Sequence, residues 1–167
     1  AENQRKRYLS ADEWARLAAA LKDMEADNAP FVAFVRLLAF TGCRKSEVLA
    51  ARWDWIDFDR KVLILPDDKA RQRGEKENKE VVLAAPALKV LQGIKRIEGN
   101  PHVVVGRKRG DHLRNPNLRW AALCKKAKLK DFRLHDIRHS FGTTATGAGF
   151  SLPVLGAMLG HRQSETT

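Results

Sequence analysis

Apolar residues recur every three or four positions over most of the chain, which is the spacing of amphipathic helices. The first such segment follows Ser10 and Glu13, whose S-x-x-E spacing forms a capping box at a helix start. Its apolar positions between Trp14 and Leu21 share one helical face. We therefore predict an amphipathic first helix that packs one side against a core.

The next segment is apolar on almost every side. It begins at Pro30, a residue favoured in the first turn of a helix, and stops at Gly42. A helix that is hydrophobic all round is buried, so we predict the central helix of the domain here. A short helix, residues 43–53, should follow it, with Val48, Leu49 and Trp53 turned inward.

The period then changes from that of a helix to that of a strand. Residues 55–66 (WIDFDRKVLILP) are rich in β-branched and aromatic residues on either side of the turn pair Asp59-Arg60, which predicts a hairpin. A polar, glycine-containing stretch follows, and the apolar residues 80–85 return as a third strand. The pattern predicts a three-stranded antiparallel sheet.

The rest of the chain is predicted to be helical. Around a basic turn at 106–112, helices are expected over 85–97, 115–129, 134–149 and from Ser151 to His161. In the helix over 115–129 we place Leu118, Ala121 and Ala122 on the inner face, with Cys124 or Lys125 beside them. The fold class is α+β and mostly α, with one small antiparallel sheet, in a single domain over residues 1–167.

The charge of the chain points to its partner. Lys and Arg number 31 against 20 Asp and Glu, a net charge of +11. Such a balance favours a polyanion, with nucleic acid as the first candidate and an anionic membrane surface as the second. No long lysine-rich amphipathic helix, spanning apolar run or signal peptide is visible, so we favour nucleic acid.

The two cysteines limit redox and metal chemistry. Cys43 and Cys124 lie far apart and form no C-x-x-C motif, which argues against a disulfide framework and against a thiolate zinc site. We interpret the protein as cytoplasmic, and we expect no metal and no cofactor.

The segment TGCRKSE, residues 41–47, is the first of three clusters suited to phosphate. Arg44 follows a helix break, at or near the start of the next helix, where an arginine fork can hold phosphate bidentately. Glu47, three residues on, could hold that guanidinium in place. The alternative is a surface helix start with one ordinary ion pair.

The segment LHDIRHS, residues 134–140, is the second cluster. His135, Arg138 and His139 fall on one helical face, where a histidine could transfer a proton and an arginine could bind phosphate. Zinc binding is disfavoured, because Asp136 stands where the H-E-x-x-H motif needs glutamate and no third ligand is near. Asp136 more plausibly caps or orients the helix, and a solvated helix face remains the alternative.

The third cluster is Gly160-His161, where a histidine follows the end of a helix. Alone, it is as consistent with a helix-dipole partner as with a phosphate ligand.

Taken in order, the three clusters resemble the catalytic domain of the tyrosine recombinases, the phage integrase family. The resemblance implies that Arg44, His135, Arg138 and His161 are catalytic, with Glu47 and His139 in supporting roles. The stretches that carry it span nearly the whole chain: RYLSADEW, TGCRKSEVLAARWDWIDF, VVLAAPALKVL, FRLHDIRHSFGTTATGAG and VLGAMLGHRQSETT.

The resemblance also implies a catalytic lysine on the β-hairpin. The candidates are Lys69, Lys76 and Lys79, with Arg71 among them, in a loop longer than is usual in the family. We favour Lys69, because it follows the apolar strand VLILP; a solvated loop lysine is the alternative.

The family's nucleophile is a tyrosine beyond the Gly-His motif, and Tyr8 at the opposite end is the one tyrosine in this sequence. We therefore expect the nucleophile beyond Thr167, and a separate N-terminal DNA-clamping domain before the chain. The implied reaction is site-specific DNA breakage and rejoining through a 3′-phosphotyrosyl link, by a synaptic tetramer encoded by a bacterium or phage. Residues 1–167 should bind double-stranded DNA but be inactive alone.

Other basic residues are expected to contact duplex phosphates independently of sequence. Two rival functions stay open. A helix-turn-helix module formed by the helices after residue 134 would need no convergence of Arg44 with His135 and Arg138. A type IB topoisomerase-like enzyme would share the same site. In the recombinase interpretation, the basic residues expected at duplex phosphates are Arg107, Lys108, Arg109, Lys125 and Lys126, with Lys128 and Lys130.

Overall fold

The computed structural model describes residues 7–67, 72–74 and 78–145, with side chains of the last helix described up to His139. Within these residues, helices surround one long buried helix and a small sheet covers one side. The helices are α1 (Ala11–Met24), α2 (Ala29–Thr41), α3 (Lys45–Ala50), α4 (Ala85–Gly93), α5 (Pro116–Lys126) and α6 (Leu134–Ala145). The strands are β1 (Ile56–Asp57), β2 (Val62–Pro66) and β3 (Asn78–Val82).

The first helix begins as its capping box predicts. The Ser10 side chain accepts the Glu13 N–H at 3.2 Å, and the Glu13 carboxylate accepts the Ser10 N–H at 3.1 Å. Trp14, Leu17 and Leu21 are buried on one face of α1. The amphipathic prediction is confirmed.

Helix α2 is the centre of the core. Every side chain from Phe31 to Thr41 is buried, as expected of a helix without a polar face. Gly42 ends the helix in the left-handed conformation, with φ of 67°, where a residue with a Cβ would be strained. This turn fixes the direction in which the chain leaves the core and enters the site.

The sheet is antiparallel in the order β1-β2-β3, as predicted, with Leu63 opposite Val81. The boundaries of the third strand were wrong: it covers Asn78–Val82 and not residues 80–85. Pro86 lies in the first turn of α4, so Ala84 already serves as the N-cap and the chain leaves the sheet at Val82. Two predicted helices are also shorter, since α3 ends at Ala50 before a 3₁₀ turn, Trp53–Trp55, and α4 ends at Gly93.

The predicted inner face of α5 was wrong. Leu118 is 81% exposed, and Ala121 and Ala122 are also exposed, whereas Trp120 and Leu123 face the core. Trp120 buries far more apolar surface than the alanines, so the helix turns to bring the indole inward. Cys124 is buried, as one of the two alternatives had it, and Lys125 is exposed.

Among the described residues, no helix is both long and apolar enough to cross a lipid bilayer. Cys43 and Cys124 are both buried as free thiols.

Candidate active site

The turn after α2 sorts its side chains between the core and the surface. The Thr41 hydroxyl donates to the Leu37 carbonyl at 2.6 Å and accepts the Cys43 N–H at 3.2 Å. Cys43 is therefore held in the core at 1% exposure, while Arg44 is turned to the surface. The T-G-C-R sequence thus presents one arginine at a rigid helix-to-helix turn.

Arg44 is the N-cap of α3, as the sequence predicts. Its backbone N–H donates to Glu47 Oε2 at 2.8 Å, so the carboxylate caps the helix. The guanidinium lies farther from the same residue, with Nη1 3.7 Å from Glu47 Oε1, and the side chain is 66% exposed. The fork of Arg44 is thus open to an anion from solvent.

Lys79 reaches the same carboxylate from the sheet. It lies on β3 opposite Leu65, and its Nζ is 3.0 Å and 3.2 Å from the two oxygens of Glu47. The sheet and α3 therefore meet at one carboxylate, which is 17% exposed.

Helix α6 is fixed at its start by two contacts. Trp120 Nε1 donates to the Phe132 carbonyl at 3.1 Å, which holds the chain just before the helix. Asp136 Oδ2 accepts the Arg133 N–H at 2.8 Å and so caps the first turn, in line with the capping role expected of it. Both contacts set where the next residues of α6 lie.

Arg138 connects α6 to the turn after α2. Its Nε donates to the Gly42 carbonyl at 2.8 Å, two residues before Arg44. Ile137 beside it is fully buried, so the helix cannot turn away. The structure thus brings Arg138 and the backbone turn that carries Arg44 together, although they are 94 positions apart in sequence.

The two histidines of α6 lie one turn apart on the exposed side. The ring centroids of His135 and His139 are 4.9 Å apart, with the rings nearly perpendicular. Both residues are exposed, and they share the helix with Arg138. The two rings are therefore in edge-to-face contact.

The electrostatics of the cluster follow from these contacts. Burial alone would raise the pKa of Glu47, but the Arg44 N–H and the Lys79 ammonium outweigh it and lower that pKa. Burial raises the pKa of the Cys43 thiol, on which Glu47, Lys79 and Arg138 all act electrostatically. Two cationic side chains, Lys79 and Arg44, thus face one shielded carboxylate, and Arg138 is bonded to the turn just before it.

Several sequence-predicted residues lie elsewhere. Lys69, Lys76 and His161 fall outside the described residues. Arg107, Lys108 and Arg109 are exposed in a turn whose base is bonded to the far end of α3, since Val103 N–H donates to the Ala51 carbonyl at 3.0 Å. Six residues of helix span about 9 Å, so this turn and Arg44 stand at opposite ends of α3.

Lys125 and Lys126 lie in the last turn of α5, where both are exposed. Lys126 Nζ is 3.6 Å from an Asp23 carboxylate oxygen of α1. Within the described part of the chain, no group of three or more His, Cys, Asp or Glu side chains could hold a metal ion.

Sequence reasoning missed two contributors to the site. Nothing in the sequence marks the Gly42 carbonyl as the partner of Arg138, because a backbone acceptor leaves no residue signature. Trp120 could have been found, since a tryptophan on a helix face otherwise made of alanine and lysine should turn toward the core and seek an acceptor for its N–H.

Comparison with known proteins places this geometry among relatives. The family model described as the phage integrase family matches residues 7–167. The integrase of Salmonella phage P22 is 28% identical over 178 residues, covering 98% of this chain and 43% of the relative. The chain thus spans less than half the length of that relative.

Two solved structures show the same fold. The XerA recombinase superposes with a TM-score of 0.65 at 24% identity, covering 95% of this chain and 57% of that one. A lambda integrase dimer bound to a core site superposes with a TM-score of 0.61 at 18% identity, covering all of this chain and 62% of that one. The mainly helical architecture with a small sheet is therefore that of these catalytic domains.

Proposed function

This chain belongs to the phage integrase family, and from that premise we propose that it forms the catalytic, DNA-binding part of a tyrosine recombinase. One observation carries the proposal: Arg138 is hydrogen-bonded to the Gly42 carbonyl, two residues before the exposed Arg44, so two arginines meet at one turn. A helix-turn-helix module would need no such pairing.

In this proposal a scissile phosphate lies between the two arginines. A tyrosine oxygen attacks the phosphorus, the bond to the 5′-oxygen breaks, and a 3′-phosphotyrosyl link forms. Arg44 and Arg138 stabilise the negative charge that develops on the non-bridging oxygens. The bond to Gly42 holds the Arg138 guanidinium in place before DNA arrives, and the turn after α2 fixes the backbone from which Arg44 extends.

The proton transfers belong to other residues. His135 assists the loss of the tyrosine proton, and a hairpin lysine, which we assign to Lys69, protonates the leaving 5′-oxygen. His161 donates a hydrogen bond to the phosphate, while Glu47 and His139 support Arg44 and His135. Attack of the freed 5′-hydroxyl of a second strand on the phosphotyrosyl bond then rejoins the DNA and releases the tyrosine.

The proposed reaction also needs a tyrosine nucleophile. Tyr8 lies just before α1, beside Arg7, which donates to the Lys130 carbonyl between α5 and α6, and the Tyr8 side chain has no role in the proposed reaction. We propose that the tyrosine follows this sequence in the working protein, so that residues 1–167 alone bind DNA without cutting it. Assembly as a tetramer on two duplexes, in the cytoplasm beside the nucleoid, belongs to the same proposal.

The test is Arg138→Ala in the longer protein that contains this chain and the tyrosine. Covalent attachment to a labelled duplex should fall about 10²–10³-fold, with duplex affinity kept within about tenfold. Arg52→Ala is the matched control, because Arg52 is a surface arginine paired with Asp54 at the far end of α3. Unchanged covalent attachment in Arg138→Ala would refute the assigned role.

Strand transfer separates the recombinase from a topoisomerase-like enzyme. The first exchanges strands between two duplexes, whereas the second relaxes a supercoiled plasmid and religates the same strand. We expect joined products from two differently labelled duplexes.

A further inference from the structure

The carboxylate of Glu47 faces two cations and is closer to one of them. Lys79 Nζ lies 3.0 Å and 3.2 Å from its two oxygens, whereas the nearest guanidinium nitrogen of Arg44 is 3.7 Å away. One of these oxygens also accepts the Arg44 backbone N–H at 2.8 Å. The acceptor positions of this carboxylate are therefore largely taken.

An arginine three residues before a glutamate at a helix start is close enough to form an ion pair with it, and a guanidinium can bind a carboxylate through two nitrogens. Here the guanidinium of Arg44 stays 66% exposed. Lys79 is the competitor for the same oxygens, and its backbone is fixed by β3, where it pairs with Leu65 of β2. The strand register thus delivers an ammonium group to Glu47 at little cost in chain ordering.

We propose that Lys79 is a positioning residue that occupies Glu47 and thereby keeps the Arg44 guanidinium open to a DNA phosphate. The inference rests on the proposed function of Arg44 and gives Lys79 no contact with the reacting atoms. Without the ammonium, Arg44 would close onto Glu47 and lose part of its capacity for an external anion.

The test uses this chain and a short labelled DNA duplex at low salt, with affinity measured by fluorescence anisotropy. Lys79→Met should weaken binding about three- to tenfold, because a charge-assisted hydrogen bond from Arg44 is lost or strained. Lys79→Arg should bind within about twofold of the parent. Lys89→Met, an exposed lysine on α4, is the matched control for the loss of one positive charge.

Two double variants separate positioning from direct contact. Glu47→Gln keeps an acceptor for the Arg44 N–H but removes the charge onto which Arg44 would close, so Lys79→Met with Glu47→Gln should bind within about twofold of Glu47→Gln alone. In an Arg44→Ala background, Lys79→Met should cause no further loss. A loss that persists in both backgrounds would mean that Lys79 contacts DNA itself and would overturn the inference.

Failure of the inference and failure of the proposed function give different results. If Arg44→Ala binds duplex as tightly as the parent, the role proposed for Arg44 in binding is wrong. If Arg44→Ala weakens binding while Lys79→Met does not, only the positioning role is lost. Thermal melting checks that each variant folds, and Lys79→Gln replaces Lys79→Met if the latter does not.

Discussion

Arg7, before α1, and Arg138, on α6, use the same side chain in opposite ways. Arg7 donates to the Lys130 carbonyl at 3.2 Å and 3.4 Å, to the Tyr8 carbonyl at 2.6 Å, and to both carboxylate oxygens of Glu13. Arg138 uses Nε for the Gly42 carbonyl, and its two terminal nitrogens make no hydrogen bond with the described residues. The fold thus uses all three nitrogens of the Arg7 guanidinium, whereas the described residues bind only Nε of Arg138.

The difference shows what the net charge of +11 leaves undecided. A count of cations indicates an anionic partner but does not locate its site, because some cations are neutralised by carboxylates and carbonyls. An arginine marks an anion site when the protein fixes one nitrogen and leaves the rest of the fork exposed. Arg138 has one nitrogen fixed by the Gly42 carbonyl, whereas Arg44 is largely exposed; both are therefore candidates for an anion site.

The largest expected effect is a slower cleavage reaction in a variant whose thermal stability is unchanged. Arg44→Ala, in the longer protein with the tyrosine, should slow covalent attachment to DNA about 10²–10³-fold, because the proposed reaction then lacks one donor to the negative charge that develops on the phosphate oxygens. Its melting temperature should stay within about 2 °C, since the side chain is 66% exposed. Single-turnover cleavage and thermal melting measure the two effects.

Arg44→Lys is the control for charge alone. It keeps the charge but not the fork, and should recover only part of the rate. If Arg44→Ala cleaves DNA at the parent rate, Arg44 is not a catalytic residue.

Arg7→Ala should show the reverse pattern. It removes the Arg7 donor from the Lys130 carbonyl and leaves the Glu13 carboxylate with the Ser10 N–H, so the free energy of unfolding should fall by about 1–3 kcal/mol. Urea unfolding of this chain measures the change.

Arg52→Ala, which breaks an exposed pair with Asp54, should cost less than about 1 kcal/mol. Equal losses in Arg7→Ala and Arg52→Ala would show that the contacts of Arg7 stabilise the fold no more than one exposed ion pair does.

Local features of the two arginine sites could be predicted from the sequence. The capping box at Ser10 and Glu13 was readable because it is a local pattern with one geometric solution. The Gly42 break and the position of Arg44 at the next helix start were readable for the same reason.

Contacts between residues far apart in the chain could not be predicted from the sequence. The carbonyls bound by Arg7 and Arg138 lie 123 and 96 positions away, and a backbone acceptor carries no residue identity. The predicted face of α5 is wrong because Trp120, the largest apolar side chain of the helix, faces the core and leaves Leu118 and the alanines outside. Burial depends on the size of each apolar side chain as well as on its period.

Acid titration sharpens the structural side of the comparison. Hydrogen bonding to Arg7 lowers the pKa of Glu13 from 4.5 to about 2. The ionised carboxylate therefore stabilises the fold fully above pH 4.5, and this contribution is lost as the pH falls from 4.5 toward 2. We expect it to be worth about 1–2 kcal/mol, and urea unfolding at stepped pH measures it.

Glu13→Gln is the matched variant for this titration. It should be less stable than the parent at about pH 6, and the difference should shrink toward about pH 2. A constant difference between the two proteins over this range would contradict the assignment to Glu13.

Two neighbouring lysines at the end of α5 also differ in whether the fold neutralises their charge, and the expected effect is the smallest. Lys126 lies 3.6 Å from an Asp23 carboxylate oxygen, whereas Lys125 has no ion pair with the described residues. If this end of α5 faces duplex phosphate, Lys125→Met should reduce the slope of log affinity against log salt by about 0.9, the value for one phosphate contact. Lys126→Met should reduce it by less, because Asp23 already neutralises part of its charge. Asp23→Asn should then raise the slope in the parent and leave it unchanged in Lys126→Met. Equal slopes in the parent and all four variants would place this helix end away from DNA.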